Sequence, residues 1–216
     1  MRLYLDTADR VAAEGLLSTG LFAGVTTNPT ILQRAGKGVA DIPEIYRWAR
    51  AGGAREVFFQ AWGEDTATLV RRAWRLRELG DEVVVKLVAS RAGTAACARL
   101  AAGGVPTLLT AVYDPGQAIV AAAAGATYIA PYLRRLDAAG RDGSGSVLAM
   151  HELLTATGSP TKVLLASIPD VPAMVDLARR GIDCFTMAPP IAEEFFADEL
   201  TAEAVRTFED AVAATT

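Results

Sequence analysis

The chain has little with which to do metal, thiol or histidine chemistry. Of its 216 residues one is histidine and two are cysteine. His151 lies in "LAMHELL", inside a helical pattern, which gives a Ser-His-Asp or Cys-His mechanism no support and a zinc site none either. Cys97 and Cys184 stand far apart in no ligand spacing. They read as free thiols in a reducing compartment, with a disulfide between them as the alternative. The formal net charge of -4 excludes a long-range pull on nucleic acid or anionic lipid, so any phosphate site must be local. No apolar run is long enough to span a bilayer. The stretch "MRLYLDTADR" reaches Asp6 before a signal-peptide core could form. A cytoplasmic protein without nucleic-acid or membrane partners is expected. No G-x-G-x-x-G or Walker-type loop follows any strand-like run.

What is present is a compact core. Hydrophobic residues make up 51% and charged residues 21%, the balance of one well-buried globular domain. Short apolar runs alternate with longer amphipathic ones. The strand-like runs are "RLYLDT", "AGVTTNP", "EVFFQAW", "EVVVKLV", "PTLLTAVY", "TYIAPYL", "KVLLASI" and "CFTMAP". Helix-like segments such as "ADRVAAEGLLST", "DTATLVRRAWRLRELG" and "VLAMHELLTATG" separate them, several closed by glycine as C-caps require. Strand-helix alternation implies a parallel sheet. Eight such units predict a single-domain (β/α)₈ TIM barrel over residues 1–216, with an extra C-terminal helix over roughly 200–216. An open doubly wound sheet is the alternative, and it would normally carry a glycine-rich first turn in place of "DTAD".

Barrel strands are apolar on both faces, so their polar exceptions are informative. Alternation puts Lys86 on one face with Val84, and Asp6 with Tyr4. Thr26 and Asn28 share a face, and Gln60 aligns with Phe58 and Trp62. Thr110, Tyr132 and Ser167 are each the polar residue near the end of a strand. If these faces point inward, seven strands bring polar groups to one mouth, where barrel enzymes hold their active sites. A lysine kept there loses basicity by desolvation, and its neutral amine can attack a carbonyl. The Schiff base so formed is an electron sink that lets a neighbouring carbon-carbon bond break or form. Asp6 and Tyr132 are the candidate proton carriers.

Each residue also has a plainer reading. Lys86 could snorkel or pair with a carboxylate. Asp6 could cap a helix beginning at Ala8, and Thr26 with Asn28 could shape the turn before Pro29. Gln60 could be a satisfied core amide, and Tyr132 a belt aromatic. Their convergence on one barrel end favours the catalytic reading.

The stretches "LYLDTAD", "GVTTNPTI", "VVVKL", "PTLLTAVY", "YIAPYLRRLD" and "KVLLASI" occur in the order found in the small transaldolase family, and the chain resembles its fructose-6-phosphate aldolase branch from residue 2 to about 190. The resemblance implies a Schiff-base lysine in a (β/α)₈ barrel, with no metal or organic cofactor. It implies Lys86 as nucleophile, Asp6 as proton carrier and hydroxyl ligand, and Thr26 and Asn28 as holders of a dihydroxyacetone unit. Thr110 would position a relaying water, and Ser167 with Arg135 would bind a sugar phosphate. Gln60 and Tyr132 stand where transaldolases of the family carry glutamate and phenylalanine, so the resemblance leans to aldolase chemistry, with transfer to an aldose phosphate as the alternative. A sugar-phosphate-binding barrel without turnover is the different-class alternative. Departures occur at Val88, Leu109, Thr30 and the doubled Arg134–Arg135; these are expected to line or adjoin the mouth, with Arg134 able to share the phosphate. The resemblance further implies a homo-oligomeric ring, pentamer or decamer, through exchange of the C-terminal helix, against the plainer expectation that this helix packs on its own barrel.

Overall fold

The computed structural model describes residues 1–215. Eight parallel strands close on one another in chain order: β1 (Arg2–Asp6), β2 (Phe22–Thr26), β3 (Glu56–Gln60), β4 (Val83–Val88), β5 (Thr107–Val112), β6 (Tyr128–Pro131), β7 (Lys162–Leu165) and β8 (Cys184–Met187). This is the expected (β/α)₈ barrel, one strand for each apolar run. No helix among the described residues is long and apolar enough to cross a membrane.

Side-chain alternation sorts each strand into two layers. Val83, Val85 and Leu87 of β4 pack outward with the helices, whereas Val84 joins Tyr4, Phe58, Leu108, Tyr128 and Leu164 inside. Tyr4 meets Phe58 edge-on at 5.2 Å between ring centroids, and Phe58 meets Tyr128 at 5.6 Å. Truncating a ring at the centre of this plug costs about 3–5 kcal/mol. Alternation also places Leu109 in the outer layer at 1% exposure, so it does not adjoin the mouth as expected. Gly24 is required in β2 because a Cβ there would lie 1.8 Å from the Glu56 carbonyl oxygen.

The outer shell is made of α1 (Arg10–Ser18), α2 (Pro29–Arg34), α3 (Ile42–Ala51), α4 (Thr66–Arg77), α5 (Arg91–Ala102), α6 (Gly116–Ala123), α7 (Leu133–Ala138), α8 (Gly143–Ala156), α9 (Val171–Ala178) and α10 (Pro189–Glu193). Helix α1 starts at Arg10, not Ala8, because Asp9 accepts from the amides of Val11 and Ala12; Asp6 is thereby freed from the capping role. Helix α8 starts four residues before the apolar pattern does, since Asp142 accepts from Gly145 N and draws "GSGS" into the first turn. Short α2, α7 and α10 were not legible as periodic segments, having six, six and five residues.

The last helix, α11 (Glu199–Ala213), closes the chain with its N-cap at Asp198. The expected segment 200–216 matches it apart from its end, and Thr216 lies outside the described residues. None of its residues is buried. Leu200 and Phe208 are 75% and 68% exposed, so the expectation that α11 packs on its own barrel is not met.

Candidate active site

Lys86 is 4% exposed, with Val84 below it on the inner face of β4. It pairs in register with Gln60 of β3 and Leu108 of β5. Among the described residues no carboxylate lies within salt-bridge distance of it. No buried side-chain nitrogen or oxygen lacks a partner among these residues either, so the Lys86 nitrogen is not sealed in the core. It opens on a cavity of about 210 Å³ at the carboxyl ends of the strands.

That cavity gathers Asp6, Asn28, Tyr132, Arg134, Arg135 and Ser167 around Lys86, seven of the ten residues singled out in the sequence. Thr26 and Thr110 stand one bond behind its wall. Thr26 Oγ1 donates to Asp6 Oδ1 at 2.6 Å. Its oxygen lies 2.6 Å from Thr186 Oγ1, and since the Thr26 proton is spent on the carboxylate, Thr186 donates. A file of donors therefore runs from β8 through β2 to Asp6 on β1. Thr110 Oγ1 and Tyr132 Oη are 2.6 Å apart. The tenth residue, Gln60, faces an adjoining cavity with Trp62 and Leu32, and Asn28 borders both cavities. The plainer reading of Asn28 is half met: Oδ1 caps α2 by accepting from Ile31 N at 3.0 Å, which leaves its amide donors for the cavity.

Burial pushes the Lys86 amine down from its ordinary value of 10.5, and nearby Asp6 opposes the shift. Burial pushes the Asp6 carboxyl up, against the pull of Lys86, the Thr26 hydroxyl and Arg34. The low-dielectric pocket thus favours the neutral form of both groups. An amine and an acid so poised are the pair a carbonyl condensation needs: a lone pair to attack, and a proton to give. Burial also raises Tyr132, with the Thr110 hydroxyl opposing, so its phenol keeps its proton near neutrality.

The rim is cationic. The Arg135 guanidinium lies 4.8 Å over the Tyr132 ring and donates to Tyr113 Oη at 3.4 Å. Arg134 donates to the Pro169 carbonyl at 3.3 Å. Ser167 follows β7 with φ 56°, in the left-handed region, and its carbonyl accepts from Arg134 N at 2.9 Å. Such a conformation costs a non-glycine residue about 1–3 kcal/mol, and here it ties the end of β7 to the start of α7. Two contributors were missed in the sequence. Thr186 was legible as the polar inward position of "CFTMAP". Arg34 was not, because it reaches the cavity only through α2.

The architecture recurs in solved structures of mandelate oxidase variants: one superimposes with TM-score 0.58 over 87% of this chain at 16% identity, and this chain spans 64% of its length. That similarity is one of fold. Sequence comparison is sharper. A probable transaldolase of Coprothermobacter proteolyticus is 33% identical over 96% of this chain and 94% of its own. A probable transaldolase of Caulobacter sp. is 34% identical over the same shares. The Transaldolase/Fructose-6-phosphate aldolase family description matches residues 3–216. The chain is thus an enzyme of the transaldolase/fructose-6-phosphate aldolase family.

Proposed function

We propose that this enzyme acts on a phosphorylated ketose through a Schiff base on Lys86, with aldolase-type release of a three-carbon ketone favoured over transfer. The observation that carries this reading is a lysine buried on an apolar strand, without an ion-pair partner among the described residues, and open to a cavity that also holds Asp6. In the reaction the neutral Nζ adds to the ketose C2 carbonyl, and the carbinolamine loses water after a proton from Asp6. The C3–C4 bond then breaks. Its electron pair flows into the iminium to give an enamine, the C4 hydroxyl proton passes to a base, and the aldehyde half leaves. Asn28 holds the three-carbon half, Thr26 supports it through its bond to Asp6, and Ser167 with Arg135 or Arg134 holds the phosphate by charge-assisted bonds.

The fate of the enamine separates the two activities. Protonation at C3 followed by hydrolysis frees dihydroxyacetone; attack on a second aldehyde completes a transfer. The Tyr132 phenol, paired with Thr110 at 2.6 Å, supports protonation, whereas a phenylalanine could not. Gln60 carries no exchangeable acid and opens on the adjoining cavity, so Tyr132 is the residue proposed to set the partition. Two wider expectations belong to this reading. Exposed Leu200 and Phe208 on α11 suit a ring in which each copy covers its neighbour's helix. The two buried, free thiols suit a reducing cytoplasm.

The test is borohydride trapping with fructose 6-phosphate, read by peptide mass spectrometry. A reduced three-carbon adduct on Lys86 is expected. Turnover without any trappable adduct would overturn the covalent mechanism.

A further inference from the structure

The Lys86 cavity holds more positive charge than a monophosphate needs. Arg34, Arg134 and Arg135 all line it, facing, among the described residues, a single carboxylate, Asp6. None of the three is in an ion pair among the described residues. The three cations come from opposite sides. In a closed barrel of eight strands in chain order, β2 and β6 are diametrically placed. Arg34 lies on α2, which follows β2, and Arg134 and Arg135 lie on α7, which follows β6. Strand β4, which carries Lys86, is two strands from each.

The two sides also resemble each other in chemistry. On the β6–β7 side a hydroxyl, Ser167, accompanies a guanidinium. On the β2 side Thr30 and Arg34 are four residues apart on α2, hence on one helix face, and both line the cavity. A hydroxyl beside an unpaired guanidinium is the donor set that holds a phosphate's oxygens.

Resting on the Schiff-base reading, we infer that Thr30 and Arg34 form a second anion subsite, and that the enzyme takes ketoses with an anionic group at each end. The substrate class is a ketose bisphosphate, with one phosphate at Arg135 and Ser167, the other at Arg34 and Thr30, and the carbonyl between them at Lys86. Cleavage balances as before: the C3–C4 pair enters the iminium, an aldehyde phosphate leaves, and protonation and hydrolysis of the enamine free a phosphorylated three-carbon ketone. No further reactant is needed. The charge of Arg34 already reaches the reacting groups, since it favours the ionised form of Asp6.

The experiment compares fructose 6-phosphate with fructose 1,6-bisphosphate as substrates of the wild type and of Arg34→Gln, at low ionic strength because exposed charges are screened by salt. Arg34→Gln is expected to raise KM for the bisphosphate about tenfold more than for the monophosphate, as the loss of one charge-assisted anchor should. Calorimetry on Lys86→Met, which cannot form the adduct, should still show the bisphosphate binding more tightly than the monophosphate, with the preference lost in Lys86→Met/Arg34→Gln. A monophosphate that is trapped on Lys86 while the bisphosphate neither binds nor is cleaved would overturn the second subsite and leave the Schiff-base reading standing. So would an Arg34→Gln effect equal on both sugars. No adduct from either sugar, with no preference in calorimetry, would overturn both.

Discussion

The two ends of this barrel treat buried polar groups in opposite ways. At the floor, where the strands begin, Glu56 accepts from the Tyr4 hydroxyl and from Tyr128 Oη, the latter at 3.0 Å. Arg2 Nη1 donates to Tyr128 Oη at 2.7 Å and sits 3.6 Å from the Glu56 carboxylate. Arg2 and Glu56 are thus each other's ionic partner, and both bond to a phenol. At the mouth, among the described residues, Lys86 has no ion pair, three arginines face one aspartate, and Ser167 is held at positive φ. A network satisfied on all sides fixes structure. A set left partly unsatisfied keeps its interaction energy for a ligand, and barrel enzymes place that set at the carboxyl ends of the strands.

The contrast is broken most directly by removing one charge from each end. Lys86→Met should lower turnover by about 10⁴-fold or more while leaving Tm unchanged or higher, because the variant no longer keeps an amine out of water. Glu56→Ala should do the reverse. It strands two phenols and a guanidinium, costing about 2–3 kcal/mol, or about 5–10 °C in Tm, with kcat per folded molecule retained. Melting curves and steady-state rates on the same preparations check both. An active, fully stable Glu56→Ala would remove the floor's structural role.

A smaller effect is expected from Tyr132→Phe. Losing the bond to Thr110 should cost about 1 kcal/mol of stability. Release of free dihydroxyacetone should fall about tenfold, within the range of a general acid-base contribution, and transfer to an added aldehyde should fall less. Equal losses in the two assays would take the partitioning role from Tyr132.

The smallest effect is a pH dependence. The folded chain holds the Lys86 pKa below its ordinary 10.5, so between the two values the unfolded state binds more protons and stability due to Lys86 rises with pH. The stability difference between Lys86→Met and wild type should therefore narrow as pH climbs from neutrality toward 10. The floor has the opposite sign: Tyr128 is pushed up from 10.0 to about 12, mainly by burial, so its contribution is present below 10 and is lost as pH rises from there through about 12. Urea titrations from neutrality to about pH 12 measure both. A difference that stays constant would mean the Lys86 amine titrates as it does in water.

The strands and the lysine were legible because they rest on local signals. An apolar run has the same period wherever it sits, and a charge in the middle of one stands out without a structure. Asp6, Tyr132 and Ser167 followed by the same count. Alternation puts Gln60 beside Lys86, and the register agrees, yet its side chain opens on the adjoining cavity. Leu109 stands beside the mouth residue Thr110 in the sequence, but strict alternation points it outward into the helix layer. The floor network escaped notice because Arg2, Tyr4, Glu56 and Tyr128 come from three strands and have no pattern in common along the chain.

By itself the sequence determined the class of the barrel, the number of its strands and the residue type on which the chemistry turns, because patterning and desolvation act over a few neighbouring positions. The tertiary structure decided what depends on separate strands arriving at one place: the Thr186–Thr26–Asp6 file, the left-handed turn at Ser167, and the entry of Arg34 opposite Arg134 and Arg135. Those contacts join residues up to 160 positions apart, and closure of the barrel is what sets their distances.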